Sequence, residues 1–153
     1  MYENRNESRD TERRPPIGRF SVIVRSTAIW LVIAVAESLN GTIRELLIVP
    51  TLGGRMAHNI SFAIGVVLIG LIALMFIEWI RPAGDYDLIT AGAVWVIFTL
   101  GFEYLVGVYV VGISLEQFVA QYNVAKGGWM TYGLIYMFFV PLAISKIKAR
   151  LVQ

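Results

Sequence analysis

Four long apolar segments, separated by short turns that are polar or rich in glycine, follow a polar N-terminal stretch. Each is close to the roughly 20 residues that an α-helix needs to cross the hydrocarbon core of a bilayer. The pattern therefore predicts an all-α membrane protein, a bundle of four transmembrane helices. The predicted spans run from about Ala28 to Val49, Ile60 to Ile80, Leu88 to Ile113 and Trp129 to Ile144.

The composition agrees with a membrane protein and narrows its chemistry. The 153 residues are 57% hydrophobic and 16% charged, whereas soluble domains contain about 25% charged residues. There is no cysteine, and His58 is the one histidine, which excludes disulfides and thiolate metal sites and leaves no histidine set for haem or zinc. We therefore predict no cofactor, no metal site and no nucleic-acid partner.

Lysine and arginine are concentrated at the two ends of the chain. The loops after the first and third spans carry only Arg55 and Lys126. Because short cytoplasmic segments are enriched in positive residues, both termini are predicted to face the cytoplasm. Residues 1–20 are predicted to be a disordered tail, and residues 21–153 a single transmembrane domain. The basic residues at the two ends of the chain are Arg5, Arg9, Arg13, Arg14, Arg19, Arg25, Lys146, Lys148 and Arg150.

Two short patterns occur once in each half of the chain. Glu37-Ser-Leu-Asn-Gly41 recurs as Glu103-Tyr-Leu-Val-Gly107, and Gly53-Gly-Arg-Met56 recurs as Gly127-Gly-Trp-Met130. The pattern predicts two helical hairpins, residues 28–80 and 88–145, in the same orientation (a parallel repeat). The two glutamates are then expected to face each other across an axis along the membrane normal.

The second half is longer between these anchors: position 127 lies 24 positions after 103, whereas position 53 lies 16 positions after 37. The excess contains Ser114-Leu-Glu-Gln117, the spelling of a capping box. Apolar residues at Leu115, Phe118, Val119 and Tyr122 then follow a helical spacing. We predict a short external helix in the membrane interface, acting as an anchor or lid, or alternatively as a gate or partner surface.

A polar stripe runs along the first span. Glu37, Asn40, Gly41, Arg44 and Glu45 recur at helical spacing, and such a stripe is expected to face the bundle interior. The predicted polar or ion-binding core consists of Glu37, Asn40, Arg44, Glu103, Tyr132 and Tyr136. Arg44 is expected to reach toward Glu103 rather than Glu37, and the tyrosines are expected to donate to a carboxylate. One arginine for two carboxylates implies a proton on one of them or an external cation. Gly41 and Gly107 are expected to let helices approach closely.

Two functions remain open for this core. In the first, it organises a non-enzymatic accessory or structural subunit, or an oligomeric bundle. In the second, its glutamates are the site of a small proton- or cation-coupled carrier or channel. Catalysis is disfavoured because no motif of a hydrolase, a metalloprotease or a phosphate-binding loop is present. A chain with so little soluble mass is expected to form a homo-oligomer or a larger complex in the lipid bilayer.

The tryptophans are interpreted as residues of the membrane–water interface. Trp79 and Trp129 lie at the ends of spans, and Trp30 and Trp95 lie nearer the starts of the two repeat units.

Several of these motifs resemble a group of short bacterial four-span inner-membrane proteins. The similar residues are Ala36-Glu37, Asn40-Gly-Thr-Ile-Arg44, Pro50 and His58-Asn59, then Phe102-Glu103, Ser114-Leu-Glu116 and Tyr122-Asn123. In that group a histidine often stands at the place of Asn40, and Arg-Gln at the place of His58-Asn59. The resemblance implies a multi-pass protein of the bacterial inner membrane and implies no particular activity.

Overall fold

The computed structural model describes residues 18–124 and 128–151, so the predicted tail lies almost entirely outside the described residues. Four of its helices are long and apolar enough to cross a membrane, as the hydropathy pattern predicts. They are α1 (Arg19–Leu52), α2 (Gly54–Ile80), α3 (Asp85–Val111) and α5 (Met130–Leu151), and a short helix α4 (Leu115–Ala120) precedes α5. We call the end that carries Arg19, the α2–α3 turn and Leu151 the terminal end, and the opposite end the distal end.

The turn between α1 and α2 is shorter than the sequence suggests, because it consists of one residue. Gly53 has φ 78° and ψ 157°, a backbone conformation that glycine adopts without a steric penalty. Pro50 does not end α1, since it lies at the beginning of the last α-helical turn, Val49–Leu52, where a missing N–H is tolerated best. The second span consequently begins at Gly54 rather than near Ile60.

The four long helices form a ring in the order α1, α2, α5, α3, with the closest packing between neighbours in that order. The corresponding helices α1 and α3 are thus adjacent, and so are α2 and α5. An axis along the membrane normal through the middle of the bundle would place corresponding helices at opposite corners instead. The predicted axis is therefore wrong for this arrangement, while the duplication of the sequence pattern stays a prediction.

The apolar core lies in the terminal half of the bundle, and two tryptophans are central to it. Trp95 is fully buried and donates from Nε1 to the Ser26 carbonyl at 2.9 Å, while Trp30 donates to Thr99 Oγ1 at 3.0 Å. The interfacial interpretation of Trp30 and Trp95 is therefore wrong, because each indole N–H finds a partner across the α1–α3 contact. The other buried apolar residues of this core are Val22, Ile29, Ile33, Ile69, Ala73, Ile77, Ile80, Leu88, Ala91, Met137 and Val140.

Charged side chains close the terminal end around the α2–α3 turn. From α5, Lys146 pairs with Asp85 at 2.6 Å and Lys148 pairs with Glu78 at 2.8 Å. From α1, Arg25 donates to the Trp79 carbonyl at 2.6 Å. These contacts join α1 and α5 to the turn, so the terminal half is held by polar contacts as well as by its core.

The capping box of α4 forms as predicted. Gln117 N–H donates to Ser114 Oγ at 3.1 Å, and Ser114 N–H donates to Gln117 Oε1 at 2.9 Å. Helix α4 packs back on the end of α3, because Phe118 lies beside Gly107. It thereby covers part of the distal end.

A candidate carboxylate site between the helices

Glu37 lies between α1 and α2, at a point where α2 has no side chain. A Cβ built on Gly65 would stand 2.8 Å from Glu37 Oε2 and 3.0 Å from Oε1, so the carboxylate occupies the notch that the glycine leaves. Gly65 belongs to a row of buried residues at four-residue spacing along α2, the distal members of which are Ala57 and Ser61. Small residues in such a row allow close helix approach inside a membrane.

Asn40 connects Glu37 to α2 through three hydrogen bonds. Its Nδ2 donates to the Ser61 carbonyl at 2.9 Å and to Glu37 Oε2 at 3.2 Å. Its Oδ1 accepts from Ser61 Oγ at 3.1 Å. Asn40 and Ser61 are both buried, at 8% and 3% exposure, so the Asn40–Ser61 pair is a polar tie between two apolar helices. We refer to Glu37, Asn40, Ser61 and Gly65 as the Glu37 network.

The Glu37 carboxylate has no cationic partner among the described residues. Its Oε1 is buried and accepts no hydrogen bond there. Arg44 does not pair with Glu37, because its Nε pairs with Glu45 Oε1 at 3.0 Å, where both side chains are partly exposed. Arg44 lies two helical turns from Glu37, about 10 Å along the axis, whereas Glu45 is its immediate neighbour.

Glu103 occupies a corresponding place on the adjacent helix α3. Residues that are 69 positions apart meet in both the Trp30–Thr99 and the Trp95–Ser26 contact. Residues of α1 and α3 that differ by 69 in number therefore lie at the same height in the bundle. Glu103 is therefore level with Ala34, about 4.5 Å nearer the terminal end than Glu37. The Glu37 carboxylate and the Arg44 guanidinium are near enough to act electrostatically on Glu103, although neither forms a direct bond with it within the described ranges.

Tyr122, in the segment after α4, lies near enough to Glu103 for that carboxylate to act electrostatically on its phenol. Burial, together with the nearby Glu103 carboxylate, raises the pKa of the Tyr122 phenol to about 12. Its hydroxyl is buried and has no hydrogen-bond partner in the part of the chain that the structure describes. Its backbone carbonyl accepts from Thr131 Oγ1 at 2.8 Å, which fixes this segment to the beginning of α5. Tyr122 is therefore a neutral phenol held near a carboxylate.

The two tyrosines predicted to donate to the carboxylates lie elsewhere. Tyr132 is half exposed and packs against Trp129, with ring centroids 6.0 Å apart. Tyr136 places its hydroxyl 2.6 Å from a Cβ built on Gly70, more than one turn along α2 from Gly65. Neither hydroxyl bonds to a glutamate among the described residues, so this part of the predicted core is wrong. Tyr132 instead lines a shallow, mainly apolar cavity of about 250 Å³ beside Val124.

The two glycines predicted to bring spans together do not do so. A Cβ built on Gly41 would meet nothing within 4 Å. At Gly107 the nearest atoms belong to Ile113, at 3.0 Å, and to Phe118, both in the segment that follows α3. The close approaches occur at other glycines, because α1 meets α2 at Gly65 and α3 meets the Phe138 backbone of α5 at Gly92.

A π-helical segment follows each glutamate on the distal side. In α1 it comprises Arg44–Ile48, and in α3 it comprises Leu105–Val111. Each such segment changes the rotational register of the turns beyond it, and short π-helical segments are frequent at functional sites. Glu103 therefore lies just before the irregular turns of α3, whereas Glu37 lies two helical turns before those of α1.

Three residues of this site, Ser61, Gly65 and Tyr122, are absent from the core predicted from the sequence. The first two had a recognisable signal, since Ala57, Ser61 and Gly65 are small residues at four-residue spacing within an apolar segment. The spacing around the short helix indicates Tyr122 only as an apolar position. Its proximity to Glu103 depends on how α4 folds back, which has no local sequence signature.

Comparison with known proteins finds no matching family model, no matching curated protein and no matching solved structure.

Proposed function

We propose that this is a non-enzymatic membrane protein that binds a proton or a small cation at the carboxylates of Glu37 and Glu103 and carries it across the bilayer. One observation carries the proposal. The Glu37 carboxylate is held between two membrane helices with one oxygen unpartnered and with no ion pair in the described ranges.

The energetic argument concerns the ionised form of that carboxylate. A charge near the middle of the bilayer costs about 3 kcal/mol on insertion scales, and a buried charge without its partner destabilises a protein by about 3–5 kcal/mol. The single hydrogen bond from Asn40 offsets about 1–3 kcal/mol of this cost. A bound proton or cation removes the remaining free-energy cost of the buried charge, so binding of a positive charge at Glu37 is favoured.

The side chains in the distal half of the bundle favour entry of an ion to the carboxylates from that end. The buried apolar core is made of terminal-half residues, while the buried residues opposite Glu37 are small or polar, such as Ser61 and Gly65. The π-helical segments of α1 and α3 lie on the same side. We propose that the ion enters from this end and leaves toward the terminal end after a rearrangement of α1 against α3.

The proposed setting follows from the sequence. The protein is a multi-pass protein of the bacterial inner membrane, both termini are cytoplasmic, and α4 is an external interfacial helix. Its hairpins derive from a parallel duplication, and it works as a homo-oligomer or within a larger complex, since four spans enclose little volume. The distribution of lysine and arginine supports this orientation.

A second function, that of an accessory or structural subunit, is favoured by the Asn40–Ser61 pair. Its two reciprocal hydrogen bonds join α1 to α2 and fix their register. In this proposal the Glu37 network is a structural tie, and the carboxylate serves only to extend it.

Flux measurements in proteoliposomes separate the two functions. Glu37→Gln and Glu103→Gln are compared with the wild type and with Glu116→Gln, which changes an exposed carboxylate on α4. In the proposed carrier, both membrane variants abolish proton or cation flux while retaining the wild-type melting temperature within a few degrees. A wild-type protein without flux, in which Glu37→Gln lowers the melting temperature strongly, contradicts the carrier and supports the accessory role.

A further inference from the structure

We propose that the ligand of Glu37 is a proton and not a metal cation. This inference rests on the proposed function and specifies the substrate of the same site. It follows from the direction in which Asn40 presents its amide group to the carboxylate.

The orientation of the Asn40 amide is determined by Ser61. A backbone carbonyl only accepts hydrogen bonds, so the Asn40 atom 2.9 Å from the Ser61 carbonyl is the nitrogen. The opposite atom, Oδ1, then accepts from Ser61 Oγ at 3.1 Å. The amide cannot be reversed without placing two oxygens against each other.

This orientation gives the carboxylate a hydrogen-bond donor where a metal ion needs an oxygen. The Nδ2 group faces Glu37 Oε2 at 3.2 Å, and its hydrogens repel a cation at that position. Metal ions such as Ca²⁺ and Mg²⁺ are bound by about six to eight oxygen ligands, and Asn40 Oδ1 is already turned toward Ser61. A proton requires only one oxygen atom.

The other face of the carboxylate is equally unsuited to a metal ion. Oε1 lies 3.0 Å from the position of a Cβ on Gly65, so it faces the α2 backbone instead of a set of oxygens. Oε1 is also the oxygen without a hydrogen-bond partner. A proton fits the space between the carboxylate and the glycine, and it neutralises the charge in place.

The charged and titratable groups around Glu37 agree with this assignment. Glu103 approaches from α3, with Arg44 and Tyr122 near that second carboxylate. The positive charge of the Arg44 guanidinium near Glu103 repels a metal cation bound in the same region. The α5 hydroxyl of Tyr136 lies at Gly70, and the lysines of α5 pair with acids at the terminal end.

Infrared spectroscopy of the full-length protein in lipid vesicles tests the inference. The carbonyl band of a protonated carboxyl group is followed over pH in choline chloride, sodium chloride and potassium chloride. The expected result is a band that disappears in Glu37→Gln, persists in Glu116→Gln, and has the same pH midpoint in the three salts. Calcium or magnesium chloride at constant pH leaves the band unchanged.

The inference is overturned if sodium, potassium, calcium or magnesium removes the Glu37 band at constant pH. It is also overturned if no band attributable to Glu37 appears at any pH at which the protein stays folded. These outcomes are distinguishable from failure of the proposed carrier. A band that behaves as expected without proton flux overturns only transport, whereas ion-sensitive bands with flux of that ion overturn only the proton assignment.

Discussion

Replacing Gly65 with alanine perturbs the Glu37 network at its closest contact. The new Cβ would stand 2.8 Å from Glu37 Oε2, and ordinary van der Waals contact begins at 3.4 Å, so the carboxylate must move by about 0.6 Å. The hydrogen bond from Asn40 is already 3.2 Å long, and a shift of this size breaks or misaligns it. The substitution therefore changes the site without removing any of its polar groups.

The expected size of the effect comes from three contributions. Alanine improves helix propensity by about 1 kcal/mol over glycine. Overpacking costs about 1–3 kcal/mol, and loss of the hydrogen bond costs about 1 kcal/mol more. The net expectation is destabilisation by about 1–3 kcal/mol. Gly41→Ala is the matched control, because a Cβ there meets nothing within 4 Å and only the favourable contribution of about 1 kcal/mol remains.

A double-mutant cycle isolates the contact with the carboxylate. Thermal unfolding in detergent is measured for Gly65→Ala, Glu37→Ala and the double variant, with Gly41→Ala in both backgrounds. Because Glu37→Ala removes the atoms that meet the new methyl group, Gly65→Ala is expected to lower the melting temperature in the wild type and to raise it in Glu37→Ala. Gly41→Ala is expected to raise it in both.

An equal effect of Gly65→Ala in the presence and absence of Glu37 would contradict a contact between the two residues. Equal melting temperatures for Gly65→Ala and Gly41→Ala in the wild-type background also refute it, since the structure gives these two glycines opposite surroundings.

Gly92→Ala is expected to prevent folding or assembly, because its Cβ would collide with the rigid Phe138 backbone carbonyl. The control Gly101→Ala on the same helix has open space around it and should give the wild-type yield on size-exclusion chromatography. Tyr122, whose pKa is raised from about 10 in the unfolded chain to about 12, stabilises the fold below pH 10 and loses this contribution as the pH rises through 12. The melting temperature of the wild type should therefore fall more steeply over that range than that of Tyr122→Phe, and parallel curves would contradict the burial of this phenol. Lys146→Met should lower stability by less than about 1 kcal/mol, since its pair with Asp85 is exposed; a larger loss in low salt would contradict that interpretation.

The four spans and the capping box were predictable because their signals are local. Length and apolarity identify a membrane helix, and Ser114 with Gln117 identifies a helix start from a few consecutive residues. The interior position of Glu37 also follows from one helix alone, because an unpaired carboxylate is excluded from lipid.

The partners of Glu37 could not be predicted in the same way. Arg44 is the nearby residue of complementary charge on the same helix, but helix rise alone places it two turns from Glu37, and its side chain pairs with Glu45. The actual contacts come from Ser61 and Gly65 on another helix, and their approach depends on a one-residue turn at Gly53. Register between helices is a tertiary property, so composition and spacing did not reveal it.

The π-helical segments could not be predicted from sequence patterns either. They shift the distal turns of α1 and α3 out of the 3.6-residue period on which face assignments depend. This accounts for Gly107, which lies inside the π-helical segment of α3 and meets only the segment that follows that helix. Gly41 lies before the π-helical segment of α1, so its open surroundings have a different cause.

The most direct test of the central claim is modification of Glu37 by a hydrophobic carbodiimide, which reacts with protonated carboxyl groups in an apolar environment. The modified residues are identified by mass spectrometry over a range of pH in native membranes. Modification is expected at Glu37, where it decreases as the pH rises, and is not expected at the exposed Glu116. Absence of modification at Glu37 at every pH, or equal modification of Glu37 and Glu116, would contradict this expectation.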